Sequence, residues 1–309
     1  MASRDIPEDV AREVRQRCGF GCVICGLPLY EYEHLEGFAT VHRHLADEMT
    51  LLCNLHHAER TKRLLTLDAV RAANDNPHNR RNGVSTPYDL HYTGSACRVR
   101  LGSMTFAADV GAAGAALIPV TIDENAPIWF AFEDGHYLLN AKLFDVNDQV
   151  ILRITNNQLV YSVLPWDITF VGRTLILREA KRRILLEISF QLPNEIVIDR
   201  AVFRYKGVTV VVSSGLLGIV NTRNAFANFT ISAGSIPSRV SLIAVGDPPD
   251  SMQWLLNVPV RQGQRRAISR QESLAFVRAQ AKQIRETLAH VERDATAAEI
   301  IAASRTLSE

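Results

Sequence analysis

The sequence predicts an α+β protein whose secondary structure is segregated along the chain. A small mixed domain covers residues 1–79, a linker 80–87, a larger all-β domain 88–265, and helices 266–309. Three observations predict this. Four of the five cysteines fall in the first 53 residues and seven of the nine histidines in the first 91, so metal-ligating chemistry is concentrated at one end. From Tyr88 to about Pro259 short apolar runs recur between turn signals. From about Arg270 the period becomes helical, with Leu274, Val277, Ala281, Ile284, Leu288 and Val291 in register.

Residues Pro7–Cys18 read as the first helix. Pro7, Glu8 and Asp9 suit its first turn, Arg15 and Arg17 its last, and Gly19 its C-cap. Cys22-Val-Ile-Cys25-Gly26 follows as a tight knuckle. Leu29–Leu35 alternates as a strand, and Met49–Cys53 forms a second. Asn54–Leu65 reads as a helix with Asn54 as N-cap, and Leu65–Asn74 as another. Asp75–Pro87 contains Asn-Pro, Asn-Gly and Thr-Pro breakers and reads as a linker. In the β region, runs such as IWFAF, YLLNAKLF, VILRI, ILLEISF and VTVVVSS are separated by turn signals at Glu133–Gly135, Asp145–Asp148, Asn156–Asn157 and Tyr205–Gly207. Their spacing has no fixed repeat, so a sandwich, a roll and a solenoid all fit. A last helix is expected over Thr296–Arg305. The C-terminal helices suit docking on the β domain or homo-oligomer formation.

Composition bounds the function. Apolar residues make up 47% and charged residues 22%, as in a soluble globular protein. The longest apolar stretch, Val110–Val120, is too short for a membrane span, and the N-terminal residues lack an apolar signal core. A cytoplasmic protein without membrane contact is expected. A net charge of +1 excludes global attraction to nucleic acid, although Arg60, Lys62, Arg63, Arg71, Arg80 and Arg81 outnumber Glu59, Asp68 and Asp75 in one stretch. An odd cysteine count in such a chain argues against a disulfide framework. Cys18 and Cys97 read as packed thiols.

A Cys-x-x-Cys pair alone is a metal clip, a redox pair or coincidence. Here Cys22 and Cys25 are followed, after 27 intervening residues, by Cys53-x-x-His56. Two pairs at the same spacing supply four ligands of the kinds that bind zinc tetrahedrally, and no βαβ pattern follows to support redox chemistry. The competing reading is a set of buried cysteines. Between the pairs, Glu33-His34 lies on the expected strand. His57, about 100° around the helix from His56, shares a face with Arg60 and Thr61. The clip is thus expected to hold the strand bearing Glu33 and His34 against the helix bearing His57, with the three converging on one side.

This ordered set, RCGFGCVICG, YEHL and MTLLCNLHHAERT, resembles the HNH endonucleases over about Arg12–Asn79. The resemblance implies a ββα-metal nuclease domain stapled by structural Zn²⁺. It implies His34 as the general base that activates water, and Glu33 and His57 as catalytic residues that ligate a divalent ion, Mg²⁺ or Mn²⁺. Arg60, Lys62 and Arg63 are candidate contacts to substrate phosphates, Arg60 on this sequence's own reading. The chemistry is coherent: imidazole has the intrinsic basicity to activate water near neutral pH, and a hard cation held by few protein ligands keeps positions for phosphate oxygens. DNA is the expected partner, with RNA as an alternative. In one departure, Glu48 stands where the family usually has an Asn that helps hold the base; Asp47, His42 and His44 share its loop. That departure sustains a rival reading, a zinc-stabilised binding or scaffold module with a degenerate site. The β domain carries no catalytic constellation, and Asp145, Asp148, Asn156, Asn157, Trp166 and Asp167 read as turn and packing residues. The domain is expected to bind a ligand or protein partner and so to target or regulate the nuclease. By analogy, such fusions belong to prokaryotic defence or mobile-element systems.

Overall fold

The computed structural model describes residues 5–94, 96–109, 115–133, 136–233 and 240–286. The chain is a mixed α and β protein in which strands predominate. Among the described residues no helix is long and apolar enough to cross a membrane.

Helix α1 (Glu8–Cys18) follows the sequence expectation closely. Pro7 is its N-cap, and Gly19 caps its end in the left-handed conformation with φ 71°. Strands β1 (Glu31–His34) and β2 (Met49–Leu52) pair antiparallel, with Glu33 opposite Thr50. The loop between them carries the short helix α2 (Phe38–Val41). Helix α3 (Asn54–Thr61) is shorter than expected, and its N-cap is Cys53 rather than Asn54. Cys53 stays extended because it leaves β2 directly, so Asn54 is already helical. The far end closes early because Arg63 turns left-handed (φ 60°) and Leu64 N–H returns to Glu59 O. Helix α4 (Leu67–Asp75) is capped by the Thr66 hydroxyl, which accepts from Ala69 N–H at 3.2 Å.

The segment read as a linker is instead a packed connection holding α5 (His78–Asn82). Its Asn79 is fully buried, and its amide donates to Gly19 O and Gly26 O at 3.0 and 3.2 Å. The polarity that mimics a linker serves to satisfy two carbonyls of the knuckle.

The β region comprises β3 (Tyr88–Asp89), β4 (Ala96–Leu101), β5 (Met104–Asp109), β6 (Ala116–Ile122), β7 (Asn125–Glu133), β8 (His136–Phe144), β9 (Val150–Thr155) and β10 (Gln158–Tyr161). It continues with β11 (Asp167–Val171), β12 (Thr174–Ala180), β13 (Arg183–Gln191), β14 (Glu195–Tyr205), β15 (Val208–Ser213), β16 (Leu216–Ile219), β17 (Asn224–Phe226), β18 (Thr230–Ala233), β19 (Val240–Val245) and β20 (Gln253–Val258). One sheet runs β20-β19-β6-β7-β8-β9-β10-β3 and the other β11 through β17 in order. Strand β4 joins the second sheet parallel to the first half of β14, and brings β5 and β18 with it. Buried side chains of both sheets form one core, including Phe130, Leu139, Ile154, Leu177, Ile188 and Val210. Two sheets around a shared core make a sandwich, not a solenoid. The expected turns at Asn156–Asn157 and Lys206–Gly207 take positive φ at both residues, as tight hairpins require. The Asp145 carboxylate accepts from Asn147 and Gln149 N–H. Asp134 and Gly135 of another expected turn lie outside the described residues, as do Leu288, Val291 and the helix over Thr296–Arg305.

Helical residues 270–286, here α6, begin at a capping box: Glu272 N–H donates to Ser269 Oγ, and Ser269 N–H to the Glu272 carboxylate. Phe276 of α6 packs with Val211 and Leu216, and a side chain at Gly218 would collide with its ring. The helix therefore docks on the β domain.

The N-terminal elements are fastened to the sandwich through α1. Arg15, which suits the last turn of α1 by its charge, is buried. Its guanidinium donates twice to Asp167 on β11, at 2.8 and 2.9 Å, and once to Tyr32 Oη at 2.8 Å. Side-chain exposure is 4% for Arg15 and 2% for Asp167, so this is an ion pair withdrawn from water; Arg178 adds a third donor at 3.2 Å. Asp167 is therefore an anchor for the N-terminal elements rather than a turn residue. Tyr161 Oη donates to Phe20 O at 2.5 Å, Gln16 to Trp166 O at 2.5 Å, and the Arg12 guanidinium lies 4.8 Å from the Trp166 ring centre. Removing one member of a buried pair strands the other charge. Arg15→Leu is expected to destabilise the protein by about 3–5 kcal/mol in chemical denaturation, with much of the loss recovered in Arg15→Leu/Asp167→Leu. Gly218→Val should displace α6, detected as faster amide exchange over residues 270–286 with the N-terminal elements unaffected.

Candidate metal centre and active site

The knuckle follows from local backbone needs. After Gly19, Phe20 also takes positive φ (61°), so the chain reverses at the end of α1. Cys22 N–H donates to Leu27 O and Gly26 N–H to Cys22 O, closing the turn, and Val23 N–H donates to Leu51 O on β2. Gly26 has φ 76°, and a side chain there would run into Asn79, His78 and Thr86, so this position needs glycine on both counts. Cys53 leaves the end of β2, and His56 sits one helical turn into α3.

These elements bring four donor atoms together. Cys25 Sγ and Cys53 Sγ are 3.7 Å apart, and His56 Nδ1 lies 3.3 Å from Cys22 Sγ and 3.2 Å from Cys53 Sγ. All four ligand atoms lie within 4.8 Å of one another. Two thiolates on a tetrahedral zinc, each about 2.3 Å from the metal, are separated by about 3.8 Å. A disulfide would need about 2.05 Å. The donor set and its spacing therefore fit a metal ion of zinc's preferences. The hydrogen bond between Cys22 and Cys25 draws the Cys22 thiol down to about 4, aided by the backbone N–H groups around it against the cost of burial, and pushes up the thiol of Cys25, which keeps the shared proton. Thiolate at the knuckle is the form a metal requires. Cys18 and Cys97 are buried apart from this set, as expected of packed thiols.

Beyond the clip, Glu33 and His57 meet across β1 and α3. Glu33 Oε2 lies 3.1 Å from His57 Nε2, and Glu31 Oε2 lies 3.7 Å from His57 Nδ1. Glu31 was not singled out from sequence, although strand periodicity places it on the face of Glu33. His34, the next residue on β1, does not join them, so the expected convergence of Glu33, His34 and His57 on one side holds only for Glu33 and His57. The His34 Nε2 lies 3.1 Å from His44 Nδ1, and its ring packs against Phe38, which stacks on His44 at 5.0 Å and 15°. Alternation along the strand explains the split: Glu33 turns toward α3 and His34 toward the β1–β2 loop. Burial lowers the His34 pKa, and the neighbouring His44 lowers it further; a hydrogen bond with the Arg43 backbone works the other way. The neutral imidazole, able to accept a proton, is favoured.

The loop also settles the role of Glu48. Its carboxylate is engaged by the Arg43 guanidinium, with Arg43 Nε donating at 3.0 Å, and this partner lowers its pKa. Arg60 reaches toward the same region, its Nη2 3.5 Å from Leu35 O. Lys62 and Arg63 are exposed where α3 ends. His42 contacts the Phe38 ring edge-on. No family model matches this chain, nor does any of the curated proteins or solved structures compared with it.

Metal analysis of the purified chain by mass spectrometry should find about one zinc per molecule. Cys22→Ser and Cys53→Ser should fall well below that and melt at lower temperature, while His34→Ala keeps its zinc. Full zinc occupancy and an unchanged melting curve in Cys22→Ser would exclude the clip.

Proposed function

We propose that the chain is a divalent-metal-dependent HNH-type endonuclease that hydrolyses DNA phosphodiester bonds, with the Cys22–Cys25–Cys53–His56 set holding a structural zinc. The observation that carries the reading is that the fold places a carboxylate and an imidazole, Glu33 and His57, in contact directly beside the clip, with a buried, neutral-leaning imidazole on the next strand residue. Glu33 and His57 suit a hard cation such as Mg²⁺ or Mn²⁺, which when bound supplies charge stabilisation to the phosphate and acidifies water. His34 takes the proton from the attacking water. His44, 3.1 Å away, holds the His34 ring and is the positioning residue in place of the family's Asn. Arg60, whose guanidinium reaches Leu35 O one residue past His34, is the candidate contact to a substrate phosphate, and Lys62 and Arg63 extend the basic surface at the end of α3.

One observation favours a second reading. Glu48 is tied to Arg43, and the Asn expected at its position is missing, as in a domain that keeps its zinc clip and has lost turnover. Cleavage of plasmid, linear duplex, single-stranded DNA and RNA with Mg²⁺ or Mn²⁺ separates the two. The nuclease reading expects metal-dependent nicking of DNA, lowered about 10²–10⁴-fold in His34→Ala. His44→Ala should reduce the rate with the Michaelis constant little changed, and His44→Asn should restore most of it. Undiminished cutting by His34→Ala would remove the base assignment, and exclusive action on RNA would replace the substrate.

A further inference from the structure

A second cluster of function-bearing side chains lies on the sandwich, remote in sequence from the zinc clip. A cavity of about 270 Å³ opens between the β12–β13 hairpin, strands β14 and β15, and the start of α6. That volume is near the lower end of small-ligand sites, which run from about 300 to 1,000 Å³. Five arginines line it: Arg182, Arg183, Arg200, Arg204 and Arg270, against one carboxylate, Glu179. Glu179 is already engaged by Arg204, and Arg200 is paired with Glu187 at 2.9 Å. Arg182, Arg183 and Arg270 are exposed and take part in no ion pair among the described residues. Arg270 Nη2 donates to the carbonyl of Arg182 at 3.4 Å, so the start of α6 is tied to the hairpin turn and the cationic groups are gathered on one cavity.

Gathering like charges without a counter-charge is unfavourable, and an anion in the cavity would relieve it. The opposite wall is apolar, from Val202, Val211, Leu274 and Val277. A guanidinium rim over an apolar floor matches a ligand with phosphate at one end and a less polar group at the other. We infer that this cavity binds a small phosphorylated ligand of the nucleotide class, its phosphates on Arg182, Arg183 and Arg270 and its base on the apolar wall. The site is independent of the nuclease reading. Because α6 supplies one side of it, occupancy ties α6 more firmly to the sheet.

Isothermal titration calorimetry on the full chain tests this with ATP, inorganic pyrophosphate, adenosine and citrate. ATP should bind, pyrophosphate more weakly, and adenosine and citrate weakest. Arg182→Glu/Arg183→Glu and Arg270→Glu should each weaken ATP binding by about tenfold to a hundredfold per lost charge-assisted contact. Arg182→Gln/Arg183→Gln, which removes charge without adding repulsion, should show the same ordering, and all variants should melt with the wild type. Arg153→Glu, an exposed arginine on β9 outside the cavity, should bind as wild type. No binding of ATP or pyrophosphate at millimolar concentration, equal binding by the cavity variants and wild type, or citrate binding as tightly as pyrophosphate would overturn the assignment. DNA cleavage by wild type measured in parallel reports on the nuclease reading separately.

Discussion

Four ligand atoms within 4.8 Å of one another, three of them sulfur, are the constraint on which the N-terminal architecture depends. The buried apolar cluster of that region includes Cys22 and Cys53 themselves, beside Val14, Met49, Leu51, Leu52 and Val70. Both ligand pairs sit at junctions. Cys22 and Cys25 follow the reversal after α1, and Cys53 and His56 span the passage from β2 into α3. A metal held by these four would tie the junctions together and so fix the angle between α3 and the hairpin, and with it the approach of His57 to Glu33. The same backbone requirements explain Gly26 and Asn79, one leaving room at the knuckle and the other satisfying its carbonyls.

The second constraint is the join to the sandwich. A short α1 that leads into the cysteine knuckle and contacts β11 joins the N-terminal elements to the sandwich. The Arg15–Asp167 pair does this at an energetic disadvantage relative to a well-packed apolar contact, since both charges are desolvated. What it adds is orientation: a bidentate guanidinium–carboxylate contact has a defined geometry, supported by Tyr32 from β1 and Arg178 from β12. Tyr32 thus connects the strand that carries Glu33 and His34 to the anchor of the whole N-terminal region.

Charge is used differently in the two parts of the molecule. Near the knuckle the Glu31 and Glu33 carboxylates face His57, and Glu48 is held by Arg43. Along the β12–β13 hairpin and the start of α6, Arg182, Arg183 and Arg270 are gathered without a carboxylate partner among the described residues. The second arrangement leaves a local excess of positive charge.

Much of the framework was legible in the amino-acid order. Helix α1 with its acidic start and glycine cap, the hairpins at Asn156–Asn157 and Lys206–Gly207, and the pairing of Cys22-x-x-Cys25 with Cys53-x-x-His56 all rest on interactions within a few residues, which local patterns report directly. The packed segment around Asn79 was misread because a polar side chain satisfying buried carbonyls has the same composition as a solvated linker. Only the tertiary structure decided that Arg15 is a buried anchor, that His44 lies beside His34 while Glu48 turns to Arg43, and that Arg182 and Arg270 share a cavity. Arg15 and Asp167 are 152 residues apart and Arg182 and Arg270 are 88 apart, so no periodicity connects them. Such pairings are set by which faces of the sheets and helices pack together, and that depends on the whole chain at once.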